Sequence, residues 1–270
     1  MNKILFLILI ISSISTAQNN TSLKKENLNG SVKVLLETEY NIGEKFGKII
    51  KNETNSAVKF FYNNKGFREK RIVYGRKGDP FEIKYYEYNL KGELIQYKIH
   101  DVWADVDGPN EEINELLNTN FATYSVKYKY DKKGNIIEDN LGINYTMTSS
   151  NAGINRYTYD DNDNIIRENV CDEKGESRVF YDYKYDSNNN IIEESQSYPR
   201  GGIIQKIIYS YNSKNDLIAS VAYNHKGILI SKKRNEYLEY DDNNNWTKSI
   251  YYENDIPLII VEREIQYHMN

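Results

Sequence analysis

The 270-residue chain contains one cysteine, Cys171, and three histidines, His100, His225 and His268. A lone cysteine cannot close an internal disulfide, so stability has to come from burial and backbone pairing rather than covalent staples. Its neighbours are Val170 and Asp172, in a turn position without the basic or helix-terminal setting that activates a thiol, so the residue reads as incidental rather than as a handle for intermolecular pairing. The histidines are far apart and stand beside no cysteine pair, which leaves no zinc spacing and no Ser-His-Asp arrangement to read. Gly-x-Ser-x-Gly, a phosphate-binding glycine loop and His-Glu-x-x-His are missing too. No cofactor is implied and a non-enzymatic protein is expected. A carboxylate-dependent hydrolase is the alternative that sequence leaves open, because the separation of two acids in space is not written in their order.

Long apolar runs are also lacking. The stretch from Ile4 to Ile14 falls short of the roughly 20 residues that a membrane-spanning helix needs. With Lys3 before it and the small residues Ser15 and Ala17 after it, it reads as a secretory signal over residues 1–17, cleaved before Gln18, so the protein is expected to be exported to the periplasm, the cell surface or the medium. No cysteine near that point offers a lipid anchor. Nor is there a clustered basic surface: 35 Lys and Arg against 39 Asp and Glu give a net charge of -4, and loss of Lys3 with the signal makes it one unit more acidic. Nucleic acid is therefore excluded as the expected partner. Lys127, Lys129 and Lys184 alternate with tyrosines and read as a solvated sheet face.

What the chain has instead is tyrosine, 25 residues of it, in a recurring unit. In the segment from Tyr124 to Ile137, Tyr124, Val126, Tyr128 and Tyr130 alternate with polar residues, the period of a strand with one buried face. Asp131 to Asn135 then supplies a turn, and the β-branched Ile136 and Ile137 start the next strand. Aligned on the tyrosine before the turn, the unit recurs at Tyr62, Tyr88, Tyr130, Tyr159, Tyr185, Tyr211 and Tyr240, at spacings of 26, 42, 29, 26, 26 and 29. Weaker turns lie midway, at Gly78, Gly175, Gly202, Gly227 and Asn254, so one strand plus one turn takes 12 to 13 residues. That length predicts an antiparallel meander of hairpins.

The pattern Tyr-x-Tyr-Asp-x-x-Gly-Asn, fullest at Tyr128 to Asn135 and followed with drift at Tyr157, Tyr183 and Tyr209, resembles the tyrosine-aspartate (YD) repeats of the RHS family over roughly residues 59–270. The resemblance implies an exported or surface protein made of β-hairpin repeats. Some members of that family bind carbohydrate, and the long ones form shells around a toxin. This chain has few repeats, no recognisable core-closing segment and no toxin domain after the last repeat, so encapsulation is not implied for it. It is also similar to short secreted proteins of Bacteroidetes-type bacteria that open with a Gly-x-Val-Lys strand, here Gly30 to Lys33.

The expected organisation is a polar, flexible leader over 18–29 and one β-repeat domain over 30–270, interrupted at 101–121. Within the interruption, Pro109 to Leu117 reads as a short helix. Asp105 and Asp107 beside Glu111 and Glu112 faintly resemble a calcium loop but lack its closing glutamate, and helix capping explains them as well. The acidic turns at Asp160, Asp186 and Asp241 pose the same choice between calcium and ordinary turn chemistry. The fold class expected is all-β: a long, twisted or spirally coiled open sheet with one short helical insertion, rather than a membrane barrel, because charged residues punctuate nearly every strand and the chain ends in Gln266 to Asn270 rather than on an aromatic. The tyrosines serve either as core or as a binding face. On the second reading the candidate binding residues are Trp103, Tyr128, Tyr157, Tyr183, Tyr209 and Trp246, for a glycan, a peptide or an envelope protein. Self-assembly through free terminal strands is the structural alternative.

Overall fold

The computed structural model describes residues 21–101, 122–142 and 153–269. A long hairpin of β1 (Val32–Lys45) and β2 (Lys48–Tyr62) is followed by β3 (Arg68–Tyr74), β4 (Pro80–Tyr88) and β5 (Leu94–Asp101). Then come β6 (Ala122–Ser125), β7 (Tyr128–Tyr130), β8 (Ile136–Gly142), β9 (Gly153–Tyr159), β10 (Ile165–Cys171) and β11 (Ser177–Tyr185). The C-terminal part holds β12 (Ile191–Ser197), β13 (Ile203–Tyr211), β14 (Leu217–Asn224), β15 (Leu229–Tyr240), β16 (Trp246–Glu253) and β17 (Ile256–Tyr267). All belong to one antiparallel sheet, as the alternating pattern predicts.

The order of pairing follows the chain, with one addition that strand patterns do not reveal. β1 pairs with β2 on one side and with the last strand, β17, on the other, from Val32 opposite Tyr267 to Asn41 opposite Ile259. The two ends of the sheet therefore lie in mid-chain, at β6 and β7. β6 pairs with β5 and β7 with β8, while only Val126 and Lys127 separate them. The Val126 amide donates to the Ile95 carbonyl at 2.7 Å and the Lys127 amide to Asn140 Oδ1 at 2.8 Å, so this one segment is tied to both sides. The sheet is open along that seam, and its accumulated twist has curled it until the two edges meet.

Successive turns alternate between the two ends of the curled sheet. At one end lie turns 63–67, 89–93, 131–135, 160–164, 186–190, 212–216 and 241–245, all built alike. In turn 131–135 the Asp131 amide donates to the Asn135 carbonyl and the Gly134 amide to the Asp131 carbonyl, which is a three-residue loop with a bulge. Asp131 Oδ1 accepts from the amides of Lys133 and Asn135, at 2.8 and 2.9 Å. The fourth position needs a positive φ. Gly134 supplies it at 91°, but at the equivalent places Asp163, Asn189 and Asn215 adopt 61 to 63°. Their side chains explain why glycine is not used: each accepts from the asparagine that closes the previous turn, Asn135 to Asp163 at 2.8 Å, Asn164 to Asn189 at 3.3 Å and Asn190 to Asn215 at 3.0 Å. Neighbouring hairpins are laced together at their tips.

The stretch 21–29, expected to be part of a flexible leader, is ordered and packed instead. Thr21 caps a single helical turn, α1 (Ser22–Lys25), by accepting from the Lys24 amide at 3.3 Å. Asn27, at φ 52°, ends it in a Schellman arrangement in which the Leu28 amide reaches the Leu23 carbonyl at 2.9 Å. Leu23 and Leu28 are buried with Val32, Leu35, Val58, Phe60, Tyr62 and Val73 in the largest apolar cluster among the described residues. Polar ties fix the segment across the end of the sheet. Leu23 donates its amide to the Gly66 carbonyl, Tyr62 and Arg68 both hydrogen-bond Glu26, Asn27 donates to Asp216 at 2.9 Å, and the Asn29 amide donates to Asn245 Oδ1 at 2.7 Å. Burial of two leucines and satisfaction of a carboxylate by two donors outweigh the chain entropy that a polar composition had suggested would win. The helix expected at 109–117, the signal at 1–17 and residues 18–20 lie outside the described residues.

Candidate functional site

Four of the tyrosines singled out in the sequence fall on alternate strands and share one face. Tyr128 lies on β7, Tyr157 on β9, Tyr183 on β11 and Tyr209 on β13. The strands between them contribute a carboxylate to the same face: Asp139 on β8, Glu168 on β10 and Glu194 on β12. Tyr128 faces Asp139 across the ladder. The Tyr157 hydroxyl donates to Asp139 at 2.8 Å, Tyr183 to Glu168 at 3.2 Å and Tyr209 to Glu194 at 3.1 Å. The result is a row in which ring and acid alternate over seven strands.

Packing and electrostatics in this row are coupled. Tyr183 and Tyr209 are buried at 7% and 8% exposure, in a cluster with Ile165 and Ile191. Burial pushes the Glu168 carboxyl up to about 7; the Asp139 and Glu194 charges add to that, while the Tyr183 hydrogen bond opposes it. Glu194 is raised by burial as well, against the pull of the Tyr209 hydroxyl. Burial and the adjacent acids hold the Tyr157, Tyr183 and Tyr209 phenols protonated well above their ordinary range, so each remains a donor. A second set of hydroxyls anchors the strands near the turns: Tyr159 donates to the Ile136 carbonyl, Tyr185 to Ile165 and Tyr211 to Ile191, at 2.6 to 2.9 Å.

The opposite face of the same strands is charged and wet. Lys129 and Arg156 flank Glu138, at 2.5 and 2.9 Å; Arg167 meets Asp182 at 2.6 Å; Lys184 and Lys206 flank Glu193, at 2.9 and 2.8 Å.

Between turns 160–164 and 186–190 the hairpin tips leave an open cleft of about 360 Å³, lined by Asp160, Asn162, Asn164, Tyr183, Tyr185 and Asn189 among others. Ile166 and Lys184, from the water-facing side of the strands, line it too. The carboxylates of the acidic turns at Asp160 and Asp186 are engaged within the turns themselves. Oδ1 of Asp160 and of Asp186 each accepts two backbone amides, and Oδ2 of each accepts from the asparagine four residues on. These amide contacts hold the carboxyls of Asp131 and Asp172 below the usual carboxylate range, and hydrogen bonds from Asn190 do the same at Asp186 against the effect of burial. Among the described residues no three His, Cys, Asp or Glu side chains gather as a metal site.

Trp246 is not part of the row. It packs on β16 against Tyr237, ring centroids 5.4 Å apart, with the Arg263 guanidinium 3.4 Å above its ring. Trp103, Asp105 and Asp107 lie outside the described residues. Cys171 is buried, with Arg156 Nη1 at 3.4 Å from its sulfur, so the folded chain does not present it for intermolecular pairing.

No family model and no curated protein matches the chain. Solved structures do. A porin-like protein from Bacteroides uniformis superposes with a TM-score of 0.51 at 10% identity, over 88% of this chain and 99% of that one. A DUF1329 family protein from Desulfovibrio piger gives 0.32 at 10% identity, over 88% and 87% of the two chains. The Tc holotoxin pore of Photorhabdus luminescens gives 0.22 at 12% identity, over 84% of this chain and 14% of that one. The first of these likenesses extends to the fold, and at such identity to the fold alone. No helix among the described residues is long and apolar enough to cross a membrane.

Sequence reasoning found the tyrosines and missed the acids. The signal was present: Asp139, Glu168 and Glu194 each stand three residues after the isoleucine that restarts the strand, Ile136, Ile165 and Ile191. A residue three places on from an inward one should face outward on a regular strand. The bulge after each turn adds one residue and turns the acid inward.

Proposed function

We propose that the protein is an exported, non-catalytic binding module of the cell envelope and that it takes a hydroxyl-rich ligand, a glycan, at the cleft between turns 160–164 and 186–190. The observation that carries this reading is the lining of the cleft. Tyr185, half-buried, lines it together with Asn162, Asn164 and Asn189, within a volume of about 360 Å³, inside the range usual for small-molecule sites. An aromatic side chain beside amides that both donate and accept suits sugar hydroxyls. The RHS-like repeats point to the same class of protein. The carboxylates of the row are committed to tyrosine hydroxyls, which favours a structural role for them over acid-base work on a substrate. The ion pairs of Glu138, Asp182 and Glu193 suit a water-facing wall, since charges are costly on a lipid-facing strand. Assembly through free terminal strands is disfavoured, because β1 and β17 occupy each other's edges.

The test is a screen of glycans and cell-wall fragments against the purified protein, with and without a calcium chelator. Binding that is weakened about tenfold by Asn162→Ala and is unchanged on chelation is the expected result, a loss typical of removing a polar contact from a site built around it. Absence of binding to every fragment by a folded sample would overturn the assignment.

A further inference from the structure

Chemistry of a different kind gathers at the end of the sheet remote from α1. Four hairpin tips that follow one another around the curl end there: 198–202, 224–228, 254–255 and the β1–β2 tip at 46–47. Each carries exposed apolar side chains, Ile203, Ile228 with Leu229, Ile256, and Phe46, the last exposed at 93%. The β1–β2 tip also projects. β1 is paired with β17 only as far as Asn41, and Ile42 to Lys45 pair only with Lys48 to Lys51, so residues 42–51 form a two-stranded tip of their own. Four residues of strand carry Lys45 roughly 13 Å past Asn41. A two-stranded ribbon with an apolar tip in water is marginal by itself, and exposed apolar groups grouped on one rim mark a contact surface.

The charges beside these tips decide the partner. Lys45, Lys48, Arg200 and Lys226 are all exposed next to the apolar residues, in a chain whose net charge is -4. Of the acids beside these tips, Glu44, Glu253 and Asp255, the last is paired with Lys232 at 3.1 Å and Glu253 accepts from the Ser231 hydroxyl at 3.2 Å. Separate apolar tips, three of the four beside an exposed cation and all ending on one rim, fit a flat anionic surface with an apolar interior better than a single pocket in a protein. Phenylalanine and leucine enter the acyl boundary while lysine and arginine meet phosphate headgroups.

We infer that this rim docks the protein peripherally on an anionic lipid bilayer, with Phe46 and Leu229 as inserted residues. Sedimentation of the protein, as processed by the cell that makes it, with phosphatidylethanolamine–phosphatidylglycerol vesicles and with phosphatidylcholine vesicles tests this. Binding is expected to the anionic vesicles, to fall in high salt and to drop about tenfold or more in Phe46→Ser/Leu229→Ser. Both positions are solvent-exposed, so the double variant should keep its unfolding midpoint. A Phe46→Trp variant should shift its emission to the blue on anionic vesicles alone. A folded protein that ignores anionic vesicles, binding that survives the double substitution, or capture by an envelope protein with no vesicle binding would each overturn the proposal.

Discussion

The hydroxyl of Tyr183 donates to the carboxylate of Glu168 at 3.2 Å, and the same contact recurs one hairpin on between Tyr209 and Glu194 at 3.1 Å. A buried acid held by a neutral phenol, with two more acids close by, makes the row sensitive to pH. The carboxyl of Glu168 titrates near 7 when folded, against an ordinary value of 4.5. Below about 4.5 both folded and unfolded chains carry the proton. Between that value and 7 the folded chain keeps a proton that the unfolded chain has released, so stability falls as pH rises, and the loss is complete above the folded value. The full span corresponds to about 3 kcal/mol. Glu168→Gln should therefore leave the thermal midpoint nearly unchanged at pH 4 and raise it at pH 8. A midpoint lowered equally at both pH values would show that the acid contributes by its contacts and not by its charge.

The lacing between hairpins predicts an order of substitutions at Asn189. Alanine there loses the contact from Asn164 and must hold a φ of 63°, costing roughly 1–2 kcal/mol. Glycine loses the same contact without the backbone strain, so Asn189→Gly should fall between the parent and Asn189→Ala in chemical denaturation. If glycine proves the worse of the two, the backbone account of this position fails.

Gly66 and Gly78 have nearly the same φ, 82° and 83°, at opposite ends of β3. A Cβ on Gly66 would meet Leu23 Cδ1 and Thr21 Cβ at 3.2 Å, whereas one on Gly78 would meet nothing within 4 Å. Gly78→Ala should cost about 1 kcal/mol from conformation alone. Gly66→Ala should cost more, and should raise amide exchange over residues 22–28, because the crowding acts on α1. Equal losses, with protection of α1 intact, would mean that α1 contributes little to that end of the sheet.

Much of this architecture was legible from residue order. The Tyr-x-Tyr alternation and the Asp-x-x-Gly-Asn turn each depend on neighbours within a few residues, so β11 to β12 or β13 to β14 follow from sequence directly. The pairing of Val32 with Tyr267 does not, because nothing in either strand names the other. Leu23 and Leu28 looked like isolated apolar residues in a polar leader, and their burial depends on Phe60 and Val73, which only the curl of the sheet brings near. The carboxylate row was hidden by the bulge, which shifts the face count after every turn. The cleft owes its existence to the spacing of two tips, a property of the sheet and not of either turn.

The union of first and last strands also orders events in time. During synthesis one edge of β1 has no neighbour until β17 emerges more than 200 residues later, a delay on the order of tens of seconds at ordinary translation rates. Hairpins in between can form as they appear, each from its own turn, but the apolar cluster under α1 also draws on Ile265 and Tyr267 and is complete only with them. The growing molecule therefore carries an unfilled strand position beside β1 until β17 is available to fill it.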